Sequence, residues 1–180
     1  MSEFRADEIF TLTIDGKATY PLNLEFSLKP LEDYAIFKNP GIYSIHYLGE
    51  LIYLGFSQNH DDIRKTRWVR QLATITLRGN NIQFSTKGFK ALNKSELWPY
   101  YNHLNLQIEN RDYQTSKNRV LFACCHKNEF LILDETVLKN FVFKWYPLPS
   151  DSNIENKCKE LKKQYKPRCN EEYLPLKIKS

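Results

Sequence analysis

β-Branched and aromatic side chains dominate Ile42-Tyr43-Ser44-Ile45-His46-Tyr47, and a second β-prone run, Leu51-Ile52-Tyr53-Leu54, follows Leu48-Gly49-Glu50. Two such runs around a short Gly-containing segment predict a β-hairpin. Pairing Tyr47 with Leu51 across a three-residue loop sets Tyr43 opposite Gly55 and diagonal to Tyr53. Side chains alternate faces with period two, so both phenols then share a face; a two-residue loop would separate them.

The same patterning marks the other elements. Ile9-Phe10-Thr11-Leu12-Thr13-Ile14 and Leu22-Asn23-Leu24-Glu25-Phe26 stand either side of Asp15-Gly16, a hairpin signal, and Pro21 points to an edge strand. Ile63, Val69, Leu72, Ala73 and Thr76 predict a helix to about Leu77, with Asp61 and Asp62 at its positive end and Gly79 as its stop. Ile82-Gln83-Phe84 predicts a short strand, and Asn93-Lys94-Ser95-Glu96 opens a helix near Pro99. Val120-Leu121-Phe122-Ala123-Cys124-Cys125 and Phe130-Leu131-Ile132-Leu133 predict another hairpin around His126-Lys127-Asn128-Glu129. Phe141-Val142-Phe143-Lys144-Trp145-Tyr146 predicts a strand ended by Pro147. Ser150, Asp151 and Ser152 offer caps for a final helix over residues 153–165.

Composition changes this picture little. A chain of 180 residues, 42% hydrophobic and 14% aromatic, is a folded domain with its own core. There is no run of eighteen apolar residues and no apolar region at the N-terminus, so a soluble, cytoplasmic protein is expected. Cys124 and Cys125 are adjacent and lack the spacing of a zinc site, so all four cysteines, with Cys158 and Cys169, read as reduced thiols. The net charge of +5 is mild but clustered: Arg64, Lys65, Arg67 and Arg70 form one group, and residues 157–168 hold another. Such groups are either solvated helix faces or the footprint of a phosphate backbone.

Gly41-Ile42-Tyr43 and Tyr53-Leu54-Gly55, with ten residues from the first Tyr to the second, resemble the two motifs of the GIY-YIG nuclease family. A second match, Leu161, Tyr165 and Lys166-Pro167-Arg168-Cys169-Asn170, is similar to the family's closing helix and its Pro-x-x-Asn ending. The resemblance implies an α/β (α+β) fold, a small central sheet flanked by helices, with the strand at 141–146 and the last helix completing it. Residues 1–40 then form an N-terminal hairpin extension, and residues 41–180 the nuclease domain with a large insertion at about 80–138.

By the same resemblance the chain is a Mg²⁺- or Mn²⁺-dependent endonuclease of double-stranded DNA. It looks most like the stand-alone type II restriction enzymes, for which a homodimer or higher homo-oligomer and a companion DNA methyltransferase are expected partners. Repair or mobile-element nucleases, and a catalytically degenerate DNA-binding module, are the alternatives. Tyr43 takes the water-activating role and Tyr53 supports it; a free phenol titrates near pH 10, so a base at that position needs cationic or metal-linked help. Arg67, or Arg64, grips the scissile phosphate, and Asn170 orients the last loop. His60 is a further proton-transfer candidate, although a lone loop histidine is more often inert. The metal ligand departs from the family pattern, because Cys158 stands where an acidic residue is common and thiols are poor Mg²⁺ ligands. Glu155, one turn earlier, takes that role instead. Arg70, Lys87, Lys90, Lys94, Lys162 and Lys166 are the expected DNA contacts, with Trp98 and Tyr100 beside the insertion lysines.

Overall fold

A computed structural model describes residues 1–14, 24–30, 35–77, 82–84, 113–115, 117–150 and 152–170. The chain begins with β1 (Ser2–Arg5), one turn of helix α1 (Ala6–Ile9) and the antiparallel pair β2 (Phe10–Ile14) and β3 (Leu24–Leu28). The hairpin follows as β4 (Gly41–Tyr47) and β5 (Glu50–Ser57). A π-helical turn (Arg64–Trp68) then runs into α2 (Val69–Thr76). Two short parallel strands, β6 (Ile82–Phe84) and β7 (Tyr113–Thr115), precede helices α3 (Lys117–Cys125), α4 (Lys127–Leu131) and α5 (Glu135–Leu138). Strand β8 (Phe141–Pro147) and helix α6 (Ile154–Tyr165) follow.

The result is an α+β arrangement around a four-stranded antiparallel sheet of order β1-β8-β4-β5. Strand alternation separates its two faces. Tyr43, Ile45 and Tyr47 of β4, with Phe141, Phe143 and Trp145 of β8, enter an aromatic core that also holds Trp68, whose indole stacks on Phe143 with centroids 4.7 Å apart. Ile42 and Leu54 enter a second cluster on the other face, with Ile154 and Cys158 of α6.

Four expectations are corrected. The hairpin loop has two residues, not three, since Tyr47 pairs with Glu50. A bulge restores the parity: the register shifts between Ile45 and His46, so Ile45 faces Tyr53 and Tyr43 faces Gly55 after all. Residues 117–131 are helical rather than a hairpin. His126 N–H donates to the Phe122 and Ala123 carbonyls and Phe130 N–H to the His126 carbonyl, so the expected turn is a junction between two helices. A short, continuously apolar run carries no period to tell strand from buried helix, and Val120, Leu121, Phe122 and Ala123 are all buried. Residues 2–5 form an edge strand of the main sheet, pairing Phe4 with Phe143, where no element was expected. The final helix is capped by Asn153, whose Oδ1 accepts from Asn156 N–H at 3.3 Å, rather than by Ser150 or Ser152; Asp151 lies outside the described residues. The Asp15-Gly16 turn and the helix expected from Asn93 lie outside the described residues.

The two-residue turn leaves Leu48 at φ 50° and Gly49 at φ 82°, positive at both central positions as a type I′ turn requires. A side chain on Cβ disfavours that region, and Leu48 is 62% exposed, so it gains little from packing. Leu48→Asn therefore stabilises the fold by about 1 kcal/mol. A urea midpoint that stays level or falls would contradict the turn geometry.

Candidate functional site

Tyr43 sits on β4, an inner strand of the sheet paired with β5 and β8 on its two sides, and is 1% exposed. Its ring lies across Gly55, where a Cβ would collide with the phenol's Cζ and Oη. Tyr53 lies beside it with ring centroids 5.9 Å apart, and Trp68 backs it at 6.4 Å. Burial foremost pushes the Tyr43 phenol well above its ordinary pKa; the neighbouring Tyr53 adds to this, while Arg119 and Arg67 pull it down. Burial prevails, so Tyr43 is an un-ionised phenol at neutral pH.

The π turn decides which arginine reaches this pair. One extra residue in the turn rotates Arg64 inward. It becomes buried, donates from Nε and Nη2 to the two carboxylate oxygens of Asp62 at 3.0 and 2.7 Å, and lies 4.7 Å from the Phe37 ring centroid. Arg64 thus anchors the turn. Arg67 stays half-buried and within electrostatic reach of the Tyr43 phenol.

A second guanidinium group completes the cluster and was not anticipated. Arg119 of α3 is 7% exposed and lies 5.0 Å from the Tyr53 ring centroid. It donates to Thr74 Oγ1 at 2.6 Å and to the Cys169 carbonyl at 3.4 Å. A helical reading of 117–125 would have found it, since Arg119 shares a stripe with Phe122 and Ala123 three and four residues on.

Asn170 closes the site from the C-terminal side. Its Oδ1 accepts from Leu54 N–H at 2.8 Å and its Nδ2 donates to the Leu54 carbonyl at 2.9 Å, so one amide side chain pairs with the outer edge of β5 as a strand would. Cys169 N–H donates to the Ile52 carbonyl and Asn118 Nδ2 to the Asn170 carbonyl, both at 2.8 Å, extending the contact. Burial pushes the Cys169 thiol up to about 12, so it is inert packing.

Other expected residues lie elsewhere. Glu155 stands on α6, the helix over the sheet face opposite Tyr43, and pairs with Lys159 at 2.8 Å, which holds its carboxyl below the ordinary range. Cys158 is buried among Ile42, Leu54 and Ile154. Among the described residues there is no group of three or more His, Cys, Asp or Glu side chains placed to share a metal ion. A hard cation is held by oxygen ligands, and among the described residues the side-chain oxygens beside the tyrosine pair are the two phenols and the Thr74 hydroxyl bonded to Arg119. Arg70 and Lys162 are half-buried, and Lys166 is exposed at the left-handed end of α6 with φ 46°. Lys87, Lys90 and Lys94, with Trp98 and Tyr100, lie outside the described residues. His60 is on an exposed loop, its Nδ1 3.2 Å from the Lys38 carbonyl.

Among the described residues no helix is long and apolar enough to cross a membrane. Scans against protein-family models, curated proteins and solved structures each return no match.

Proposed function

We propose that the chain is a nuclease hydrolysing phosphodiester bonds of double-stranded DNA, in the manner of a type II restriction endonuclease. One observation carries this reading: two tyrosines and two guanidinium groups converge on one side of the hairpin that bears the two motifs. Phosphodiester hydrolysis places extra negative charge on the phosphorane oxygens, and preorganised cations aimed at that charge lower the barrier. Arg67, the less buried of the two arginines, grips the scissile phosphate. Arg119 holds Tyr53 in place from behind. Tyr53, half-exposed, faces the substrate, and the neutral Tyr43 phenol orients Tyr53 and the attacking water by hydrogen bonds. The +5 charge favours DNA encounter, and cutting both strands calls for two copies of the chain.

The test is plasmid cleavage with Mg²⁺, with Mn²⁺ and with chelator. Discrete fragments mark a restriction enzyme, for which a companion methyltransferase would protect host DNA; preference for branched DNA marks a repair or mobile-element nuclease. Tyr43→Phe keeps the ring and removes the hydroxyl, so cleavage falls by about 10²-fold while the thermal midpoint barely moves. Arg67→Ala costs about 10²–10³-fold. Equal cleavage by native chain and Tyr43→Phe would remove the tyrosine from the chemistry.

A second reading, a DNA-binding module that does not cut, is favoured by the place of Glu155 on α6, over the sheet face opposite the tyrosines, and by the burial of Tyr43. Salt-sensitive binding without cleavage under any metal condition selects it.

A further inference from the structure

Arg119 enters the tyrosine cluster from α3 as a cation that is 7% exposed. Among the described residues, each hydrogen bond and ring contact of its guanidinium group is with a neutral partner. Nη1 donates to Thr74 Oγ1 at 2.6 Å, Nε donates to the Cys169 carbonyl at 3.4 Å, and Cζ lies 5.0 Å from the Tyr53 ring centroid. Thr74 Oγ1 donates in turn to the Arg70 carbonyl at 2.9 Å, which leaves its lone pairs to Arg119. These bonds fix the plane of the fork but supply no negative charge.

Other arginines are treated differently. Arg5 pairs with Asp7 and Glu8, Arg64 with Asp62, and Arg168 with Glu50. Among the described residues neither Arg119 nor Arg67 pairs with a carboxylate. The weaker acids nearby do not fill that role, because burial keeps the Tyr43 phenol protonated and pushes the Cys169 thiol up to about 12. Packing against a tyrosine ring offsets only part of what a buried cation loses in leaving water. Steadying Tyr53 needs bulk and hydrogen bonds, which a neutral side chain also provides. The charge of Arg119 is left for a ligand.

We infer that Arg119 is an anion-binding residue, taking an oxyanion of the phosphate class on its remaining N–H groups beside Tyr53. A guanidinium group has five N–H donors, and the two bonds to Thr74 and Cys169 use two of them. Its rigid fork suits phosphate oxygens. Tyr53 is half-buried, so the cluster reaches solvent on that side. Inorganic phosphate and the phosphate of a strand offer the same oxygens. That the anion belongs to DNA rests on the nuclease reading; that Arg119 takes an anion does not.

The test titrates the full chain with inorganic phosphate, with acetate and with a DNA duplex at constant ionic strength, following the Arg119 Nε–H signal by NMR. Inorganic phosphate shifts that signal saturably, and acetate, a planar carboxylate, binds about tenfold more weakly. Arg119→Gln, which keeps a planar amide without the charge, weakens phosphate binding by about tenfold or more. If the ligand is a strand phosphate, the slope of log K against log salt for the duplex becomes shallower by about 0.9 in Arg119→Gln. An unchanged slope with phosphate binding lost identifies the free anion as the ligand, and a purely structural arginine would move neither. Should Arg119→Gln not fold, the native chain's signal still decides, assigned by its loss in Arg119→Lys. No saturable shift with phosphate or duplex, equal binding of acetate and phosphate, or equal phosphate affinity in native chain and Arg119→Gln overturns the inference. Cleavage is not read in any arm: a chain that binds phosphate through Arg119 but binds no duplex keeps this inference and loses the nuclease reading.

Discussion

Gly55→Ala lowers the unfolding free energy by about 3 kcal/mol, and Gly55→Val prevents cooperative folding. Gly55 pairs with Tyr43 across the hairpin, and the Tyr43 ring lies where a Cβ at Gly55 would have to be. A flexible side chain could move aside, but this ring cannot. Trp68 stands 6.4 Å from it on one side and Tyr53 5.9 Å on another, and both Tyr43 and Trp68 are fully buried. Close-packed interiors respond to a small overlap by shifting backbone, which is costly. Urea denaturation of Gly55→Ala, Tyr43→Leu and the double variant measures the coupling. The double variant recovers at least half of the loss, because the leucine no longer crosses Gly55. If Gly55→Ala unfolds at the native midpoint, the ring does not lie across the glycine and the tyrosine pair is wrongly placed.

Asn170→Asp costs about 3 kcal/mol at pH 7, more than the roughly 2 kcal/mol of Asn170→Ala, although aspartate is the closer isostere. Asn170 is 4% exposed and makes opposed bonds to one residue, accepting from Leu54 N–H and donating to the Leu54 carbonyl. A carboxylate keeps the first and replaces the second with two oxygens face to face, while burying a charge. The protonated acid restores both bonds. Its folded pKa is therefore raised above the unfolded value of about 3.9. The sign follows by linkage: the folded state binds the proton more tightly, so stability relative to the native chain is greatest below pH 3.9 and falls as pH rises through the folded pKa. Asn170→Ala, lacking a titrating group, keeps a constant deficit. Denaturation of both variants and the native chain between pH 3.5 and 7 gives the answer. Parallel profiles for the two variants would show that Asn170 does not bridge Leu54.

Much of the tyrosine site was legible because its signals are local. β-Branched and aromatic runs through Tyr43 and Tyr53 mark two strands, and the count between them decides a shared face. The predicted route to that parity was nevertheless different: a three-residue loop and a two-residue turn followed by a bulge have the same effect on every residue beyond the bulge. Helical phase put Arg67 ahead of Arg64 as the expected phosphate contact, but the burial of Arg64 comes from a π turn that no apolar period announces. Arg119 was missed because a strand reading of the run that follows it hid the stripe joining it to Phe122. The expected DNA contacts Lys87, Lys90 and Lys94 bear on neither outcome.

The sequence by itself determined the hairpin, the pairing of Tyr43 with Gly55, strand β8 and helix α6, since each follows from local residue runs and their periodicity. Tertiary structure alone decided the rest. Whether Val120–Cys125 became strand or helix depended on being buried against other elements, not on its own pattern. Residues 2–5 became a strand because β8 offered an unpaired edge, and Asn170 found its role because β5 offered another. Glu155 was separated from the tyrosines by the face on which α6 packs, a choice made by Ile154 and Cys158 meeting Ile42 and Leu54. Unpaired backbone and uncovered apolar surface are satisfied by whatever the fold brings near, and that neighbour is not written in the segment that needs it.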